Sequence, residues 1–341
     1  MSCREQLPSP EPTATSTIET PVQGDRLNIV VSILPQQYFV EKIGGDKVDV
    51  SVMVEAGAEP ETYEPKPQQL KALSDADAYI SVGIFFEDIW ESRFETANSE
   101  MAIVNSSTGI DKITMVAHNH DHGHGHDHSA EHSDEEHDHD KEHSDEEHSH
   151  EDHDHGAEHS EAGHDEDHDH GAEHSDEEEL LDPHTWLSPK KAAVHAENIY
   201  ATLVELDPSS QAFYQQNLDT FLAEIKQLDA DITEILEPLD SRAFLVFHPA
   251  WGYFANDYNL EQIAIEVEGQ EPSPAELAEL IQVAEQEQIR VIFAQYQFNS
   301  QSAQTIADEI GAEVVYIDPL ATDWAANLKS VAQEIASASQ K

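Results

Sequence analysis

The stretch from His118 to Glu179 constrains this chain more than any other feature, because its 62 residues cannot contribute to a packed core. It opens as HNHDHGHGHDHSAEHSDEEHDH and continues without one Val, Ile, Leu, Met or aromatic residue. A segment that buries no apolar surface cannot offset the entropy of ordering its backbone. The stretch holds nineteen of the chain's 22 histidines and 26 Asp or Glu against a single Lys. Short units recur in it, EHSDEEH at Glu131 and Glu142 and HDHGAEHS at His153 and His168. Repetition of this kind predicts an expanded low-complexity loop, not a domain. As a flexible coil of about 60 residues it would span roughly 40–45 Å root-mean-square, enough to reach most of the molecule.

The remainder folds by ordinary rules. Without that tract and the Pro/Thr/Ser-rich residues 1–25, roughly 250 residues with regular apolar periodicity remain, enough for two lobes of about 125 residues. The formal charge of −55 argues against nucleic acid and anionic lipid as partners, since both repel it and no Lys/Arg stripe offsets the repulsion. It suits cations. No run approaches the roughly 20 apolar residues of a membrane-spanning helix. Cys3 is the only cysteine, so no internal disulfide can form. Ser2-Cys3 ahead of a Pro/Thr-rich tether resembles the start of a mature bacterial lipoprotein, which predicts a lipid anchor on Cys3 and an apolar signal segment upstream of the given sequence.

Strand and helix patterns alternate along both halves. In the first, LNIVVSIL (27–34), VDVSVMV (48–54), AYISVG (78–83) and AIVN read as strands, with helices after Pro35, from Pro67 and near 86–97. In the second, AFLVFH, IAIEV, VIFAQ and EVVYID read as strands, with helices from Pro274 and about Ser300. Short β-rich runs separated by helical periods imply βαβ crossovers and parallel sheets. The predicted fold class is therefore α/β, with two Rossmann-like lobes. Between them, DPSSQAFYQQNLDTFLAEIKQLDADITEILEPLD carries a cap at Asp207, Pro208 in the first helical position and a helical period to about Leu236. A helix of that length, some 40 Å, makes a stiff connector. The expected organisation is a tether over 1–25, a first lobe over 26–207 interrupted by the tract, a connecting helix over 208–240 and a second lobe over 241–341.

Three histidines lie outside the tract: His184 in DPHTWLSP, His195, and His248 in FLVFHPAWGYF. His248 and Asp318, the latter in VVYIDPLATDW, end predicted parallel strands, where open α/β sheets place their ligands. Glu61 lies in the loop GAEPETYEP after the second strand. Two imidazoles and two carboxylates from loops facing one cleft could enclose a divalent cation, and four N/O ligands at about 2.0–2.2 Å suit Zn²⁺. His195 falls on the helix after Pro189 and reads as an exposed or packed helix residue. Trp186, Trp251, Tyr253 and Tyr63 flank these positions, either as cleft walls or as core packing.

The segments GAEPETYEPKPQQLKALSDADAYISVGIFFEDIW, DPHTWLSPKKA, FHPAWGYFANDYNL, EGQEPSPAELAELI and GAEVVYIDPLATDW, in this order, resemble the ZnuA-like zinc solute-binding proteins of ABC uptake transporters. The resemblance extends from about Leu27 to the C-terminus, omitting the tract. It implies two α/β lobes joined by a rigid helix, one metal ion in the inter-lobe cleft, and an acidic His-rich loop of variable length. It maps the second, third and fourth metal ligands onto His184, His248 and Asp318. At the first position the family reads Pro-His-x-Tyr-Glu-Pro, whereas this chain has Pro60-Glu61-Thr62-Tyr63-Glu64-Pro65. Glu61 then replaces a histidine as ligand, with Glu59 or water as substitutes and Glu64 structural. The harder oxygen donors leave Mn²⁺ as the alternative cation, since oxygen ligands suit it; manganese-binding relatives, however, carry Glu where this chain has His248.

These features together imply a non-enzymatic, monomeric, extracytoplasmic protein that captures Zn²⁺ and hands it to a membrane permease. A zinc metallohydrolase is the competing class, because His and carboxylate ligands also make catalytic sites; a metal buffer or surface-attachment protein is a third. The tract is expected to supply auxiliary weak sites through His118, His120, His122, His124, His126, His128, His132, His137, His139, His143, His148, His150, His153, His155, His159, His164, His168, His170 and His174. Each set of bonds there must order a flexible chain, at roughly 1–2 kcal/mol per fixed residue, so these sites are weak and exchangeable.

Overall fold

A computed structural model of the chain describes residues 26–115, 181–266, 269–298 and 300–339. The β-rich runs near the start form β1 (Leu27–Val31), β2 (Val48–Val52), β3 (Ala78–Ser81) and β4 (Ala102–Asn105). They pair in parallel in the order β2-β1-β3-β4. β3 is buried at all four positions, as expected of an inner parallel strand covered on both faces. The crossovers are α1 (Leu34–Gly44), α2 (Pro67–Ser74) and α3 (Phe85–Ala97).

The second half repeats the plan. β5 (Ala243–Val246), β6 (Glu261–Ala264), β7 (Val291–Ala294) and β8 (Glu313–Tyr316) form a parallel sheet of order β6-β5-β7-β8. In each sheet the strand order reverses between the two inner strands. That reversal opens a crevice at their carboxyl ends. In the second lobe it lies between the residues that follow β5 and those that follow β7, which places His248 and Gln297 at its edges.

α4 (Pro189–Leu206) and α5 (Gln211–Leu236) follow the first lobe. α5 buries Tyr214, Leu218, Phe221, Ile225, Leu228, Ile232 and Leu236, a spacing of three or four that keeps one face on the core. It was expected from Pro208. Instead Pro208–Ser210 is a 3-10 turn, because the Asp207 carboxylate accepts from Ser209 N (3.2 Å), Ser209 Oγ (2.6 Å) and Tyr214 Oη (3.2 Å) and tightens the entry. The far end stops at Leu236: Glu237 keeps helical dihedrals and donates to Thr233 O (2.8 Å), but Pro238 has no N–H with which to continue the ladder.

α6 (Gly252–Asp257), α7 (Pro274–Gln286) and α8 (Gln301–Ile310) belong to the second lobe, and α9 (Trp324–Ala338) closes the described chain. The second sheet buries its two faces differently. Leu245, Phe247 and Ile292 join Leu280, Ala284 and Ile306 of α7 and α8 in a small core. Phe244, Val246, Val291 and Phe293 join a larger core with α5 and α9 that continues through Phe221 and Phe39 into the first sheet. Trp324 of α9 packs edge-on against Phe39, centroids 5.0 Å apart. One apolar core thus runs through both lobes.

Candidate metal centre

His184 begins the segment after the tract, and the backbone turns at once into a 3-10 turn over Thr185–Leu187. Asp182 fixes it. Its Oδ1 accepts from the His184 backbone N–H (2.8 Å) and from His184 Nδ1 (2.8 Å). His248 follows β5, where the Gln295 amide clamps its backbone: Oε1 accepts from His248 N (3.2 Å) and Nε2 donates to His248 O (2.9 Å). His248 Nδ1 donates to Glu266 Oε1 at 2.6 Å, and Phe298 stacks on the ring at 4.6 Å. All four members of these two pairs are buried.

The two rings meet. His184 Nε2 and His248 Nε2 stand 3.3 Å apart. With Nδ1 of each ring donating to a carboxylate, the neutral tautomer leaves a lone pair on each Nε2. Two lone pairs facing each other repel unless a cation lies between them. Two nitrogens bound at about 2.0–2.1 Å to one tetrahedral centre stand about 3.3–3.4 Å apart, which matches the observed separation. Carboxylates behind metal-ligating histidines hold the tautomer and raise ligand basicity.

The carboxylates of the expected set are less advanced. Glu61 sits on an exposed 3-10 turn, Pro60–Thr62, and lines the same cavity as Pro60, His184, His248, Gln297 and Phe298. Burial raises the pKa of neighbouring Glu59; its hydrogen bond from Thr62 opposes this, and the nearby Glu61 carboxylate adds to it. Asp318 follows β8, but its Oδ1 is engaged by Gln297 Nε2 and Leu320 N, each at 2.9 Å. Among the described residues no three His, Cys, Asp or Glu side chains converge into a cation shell. The structure brings His184 and His248 together, puts Glu61 on their cavity, and ties Asp318 to the cavity-lining Gln297.

His195 is fully buried, with Nδ1 on Ser106 Oγ (3.0 Å) and Nε2 on Thr185 Oγ1 (2.9 Å). Desolvation, aided by the charge of Lys112, lowers its pKa to about 3, so it is a neutral core residue. Trp186 walls the cavity beside the His184 ring and donates Nε1 to Pro319 O (2.8 Å). Trp251 packs on Phe254 in the core, and Tyr63 packs on Phe86 and donates to Gln69. Tyr253 Oη accepts from Ile113 N (3.1 Å) and donates to Asp182 O (2.9 Å). Asp182 N donates to Ile113 O (2.8 Å), and Thr114 and Leu181 form an antiparallel bridge, so the chain is pinned on either side of the tract. Cys3 and the nineteen tract histidines lie outside the described residues.

Asp182, Glu266, Gln295, Gln297 and Phe298 escaped the sequence reading. Asp182 was findable as an Asx turn two residues before His184. Glu266 and Gln297 follow β6 and β7 at the sheet end already marked by His248, and the rule that placed His248 would have placed them too.

The family described as zinc-uptake complex component A, periplasmic, matches residues 29–338. The high-affinity zinc uptake system protein ZnuA of Bacillus subtilis (strain 168) is 30% identical over 301 residues, 87% of this chain and 80% of its own length. The zinc-binding protein AdcA of Streptococcus pyogenes serotype M3 (strain ATCC BAA-595 / MGAS315) is 29% identical over 86% of this chain, which spans only 50% of that protein. A crystal structure of ZnuA superposes with a TM-score of 0.73 at 42% identity, over 92% of this chain and 100% of that one.

Proposed function

Because the chain belongs to the family of periplasmic zinc-uptake complex component A, we propose that it captures Zn²⁺ outside the cytoplasmic membrane and delivers it to the permease of an ABC-type uptake system. The facing pair of imidazole nitrogens, 3.3 Å apart and each backed by a buried carboxylate, carries the reading. The bound ion is cargo and must leave again. A site built on two preformed imidazoles, completed by carboxylates that move in from separate loops, suits capture and release.

The proposed ligands are His184, His248, Asp318 and Glu61, with Glu59 beside Glu61. Two imidazoles weight the site toward Zn²⁺, and Mn²⁺ is the weaker occupant. The tract serves as an auxiliary collector, because its many imidazoles and carboxylates suit divalent cations and it precedes His184 by only a few residues in the sequence. A lipid on Cys3 would hold the protein at the membrane surface, near its permease. The role is binding rather than catalysis.

Calorimetric titration of the full chain tests this reading. One tight zinc site and several weak ones are expected, and His184→Ala or His248→Ala should each weaken the tight site by at least about 100-fold, since both remove a direct ligand where loss of a supporting group alone costs 10–100-fold. Unchanged tight binding in His248→Ala would overturn the assignment.

A further inference from the structure

We propose that Gln297 sets the metal preference of the site by restricting Asp318 to a single coordinating oxygen. The inference rests on Asp318 being a ligand. A carboxylate can offer a cation one oxygen or two, and the choice changes the coordination number. Here Oδ1 of Asp318 already accepts two hydrogen bonds, from Gln297 Nε2 and from the backbone N–H of Leu320, both at 2.9 Å. Two donors occupy the two lone-pair directions of that oxygen. A cation entering the cleft finds only Oδ2.

The Leu320 contact comes from the local turn and needs no particular side chain. The Gln297 contact depends on one amide. Its other end, Oε1, is buried and has no hydrogen-bond partner among the described residues, so the link to Asp318 is what orients the side chain. A reversed amide would set oxygen against oxygen. Gln297 also lines the cavity that holds His184 and His248, one residue before the Phe298 ring that stacks on His248. It therefore touches both the cavity of the imidazole pair and the carboxylate. The backbone of Asp318 is held as well, its carbonyl accepting from Asn327 Nδ2 at 2.8 Å.

Metal choice depends on the count. Two imidazoles and two carboxylates that each give one oxygen supply four donors, the number Zn²⁺ takes in tetrahedral sites. Mn²⁺ and similar hard cations favour octahedral oxygen-rich shells, for which a two-oxygen carboxylate is the readiest source. Releasing Oδ1 from Gln297 lets Asp318 bind through both oxygens and narrows the margin by which zinc wins.

The test uses the full chain, wild type and Gln297→Met, a substitution of similar length that lacks the amide donor. One equivalent of Co²⁺ fills the tight site and reports coordination number through its visible absorption. Wild type should give the intense bands of four-coordinate cobalt, and Gln297→Met the weak bands of a higher-coordinate ion. The ratio of zinc to manganese affinity should fall by about tenfold in the variant, the low end of what loss of a ligand-supporting group costs. Weak, six-coordinate bands in wild type would overturn the proposal whether or not the variant folds well. So would a variant with an unchanged spectrum and unchanged ratio. Asp318→Ala separates the two levels: if its zinc affinity equals wild type, the ligand reading fails, whereas a large loss there with a silent Gln297→Met defeats only the role of Gln297.

Discussion

Asp182 shows how one residue governs the placement of another, the proposed ligand His184. One of its oxygens turns the His184 backbone and orients the ring, while the other lies 2.6 Å from where a side chain on Gly252 would begin. Only a glycine lets α6 approach that closely. Asp182→Asn keeps the shape and removes the charge behind the imidazole, and zinc affinity should fall about 10- to 100-fold by calorimetry with the fold intact. His195 offers a test by pH. Its folded pKa of about 3 lies below the ordinary 6.5, so between those values the unfolded chain binds a proton that the folded chain refuses. The contribution is neutral above pH 6.5 and becomes destabilising as pH falls toward 3. Between pH 7 and 5, denaturant unfolding should show wild type losing about 2 kcal/mol more than His195→Gln. His184 and His248 were legible because so few histidines lie outside the tract. Their supporting carboxylates were not, since a buried Glu and an exposed one look alike in sequence until the strand ends are aligned in space.

At the level of elements, the alternation of strands and helices was readable because each inner strand is an apolar run bounded by turn residues, and both sheets form as the βαβ pattern implies. Ends were read too long. Leu27–Val31 stops short of the apolar Ile33 and Leu34, which lie beyond the sheet, Ile33 fully buried. The helix expected from Pro208 lost its first turn to the side chain of Asp207, a local competition that apolar spacing does not register. Nor did the strand-and-helix reading pick out α9, whose buried Trp324, Leu328, Val331 and Ile335 recur at helical spacing. Phe221 is where three helices meet, its ring 5.6 Å from Phe39 of α1 and 6.4 Å from Trp324 of α9. Phe221→Ala should cost about 3–5 kcal/mol in denaturant unfolding, against under about 0.5 kcal/mol for a substitution at exposed Gln215.

The whole molecule behaves less like two bodies on a rod than the sequence implied. The larger core passes from the first sheet through α5 and α9 to one face of the second, so opening the cleft widely would break apolar packing. Loading is then a matter of side chains and short loops, and small-angle scattering of a chain without the tract should change little on adding zinc. Replacing residues 118–179 by a short turn should leave the unfolding midpoint nearly unchanged and the tight site intact while the weak sites vanish. A tight site lost with the tract would contradict the assignment to His184 and His248. The bridge between Thr114 and Leu181, with Tyr253 gripping both sides of it, has a further consequence. Whatever length of chain it closes, the fold on the other side registers only the closure, and doubling that length costs about 0.6 kcal/mol. A gene carrying short repeats there can gain or lose copies from one lineage to the next, so the number of histidines can vary while the sheets and the His184–His248 pair stay as they are; if the tract collects metal as proposed, that capacity varies independently of the cleft.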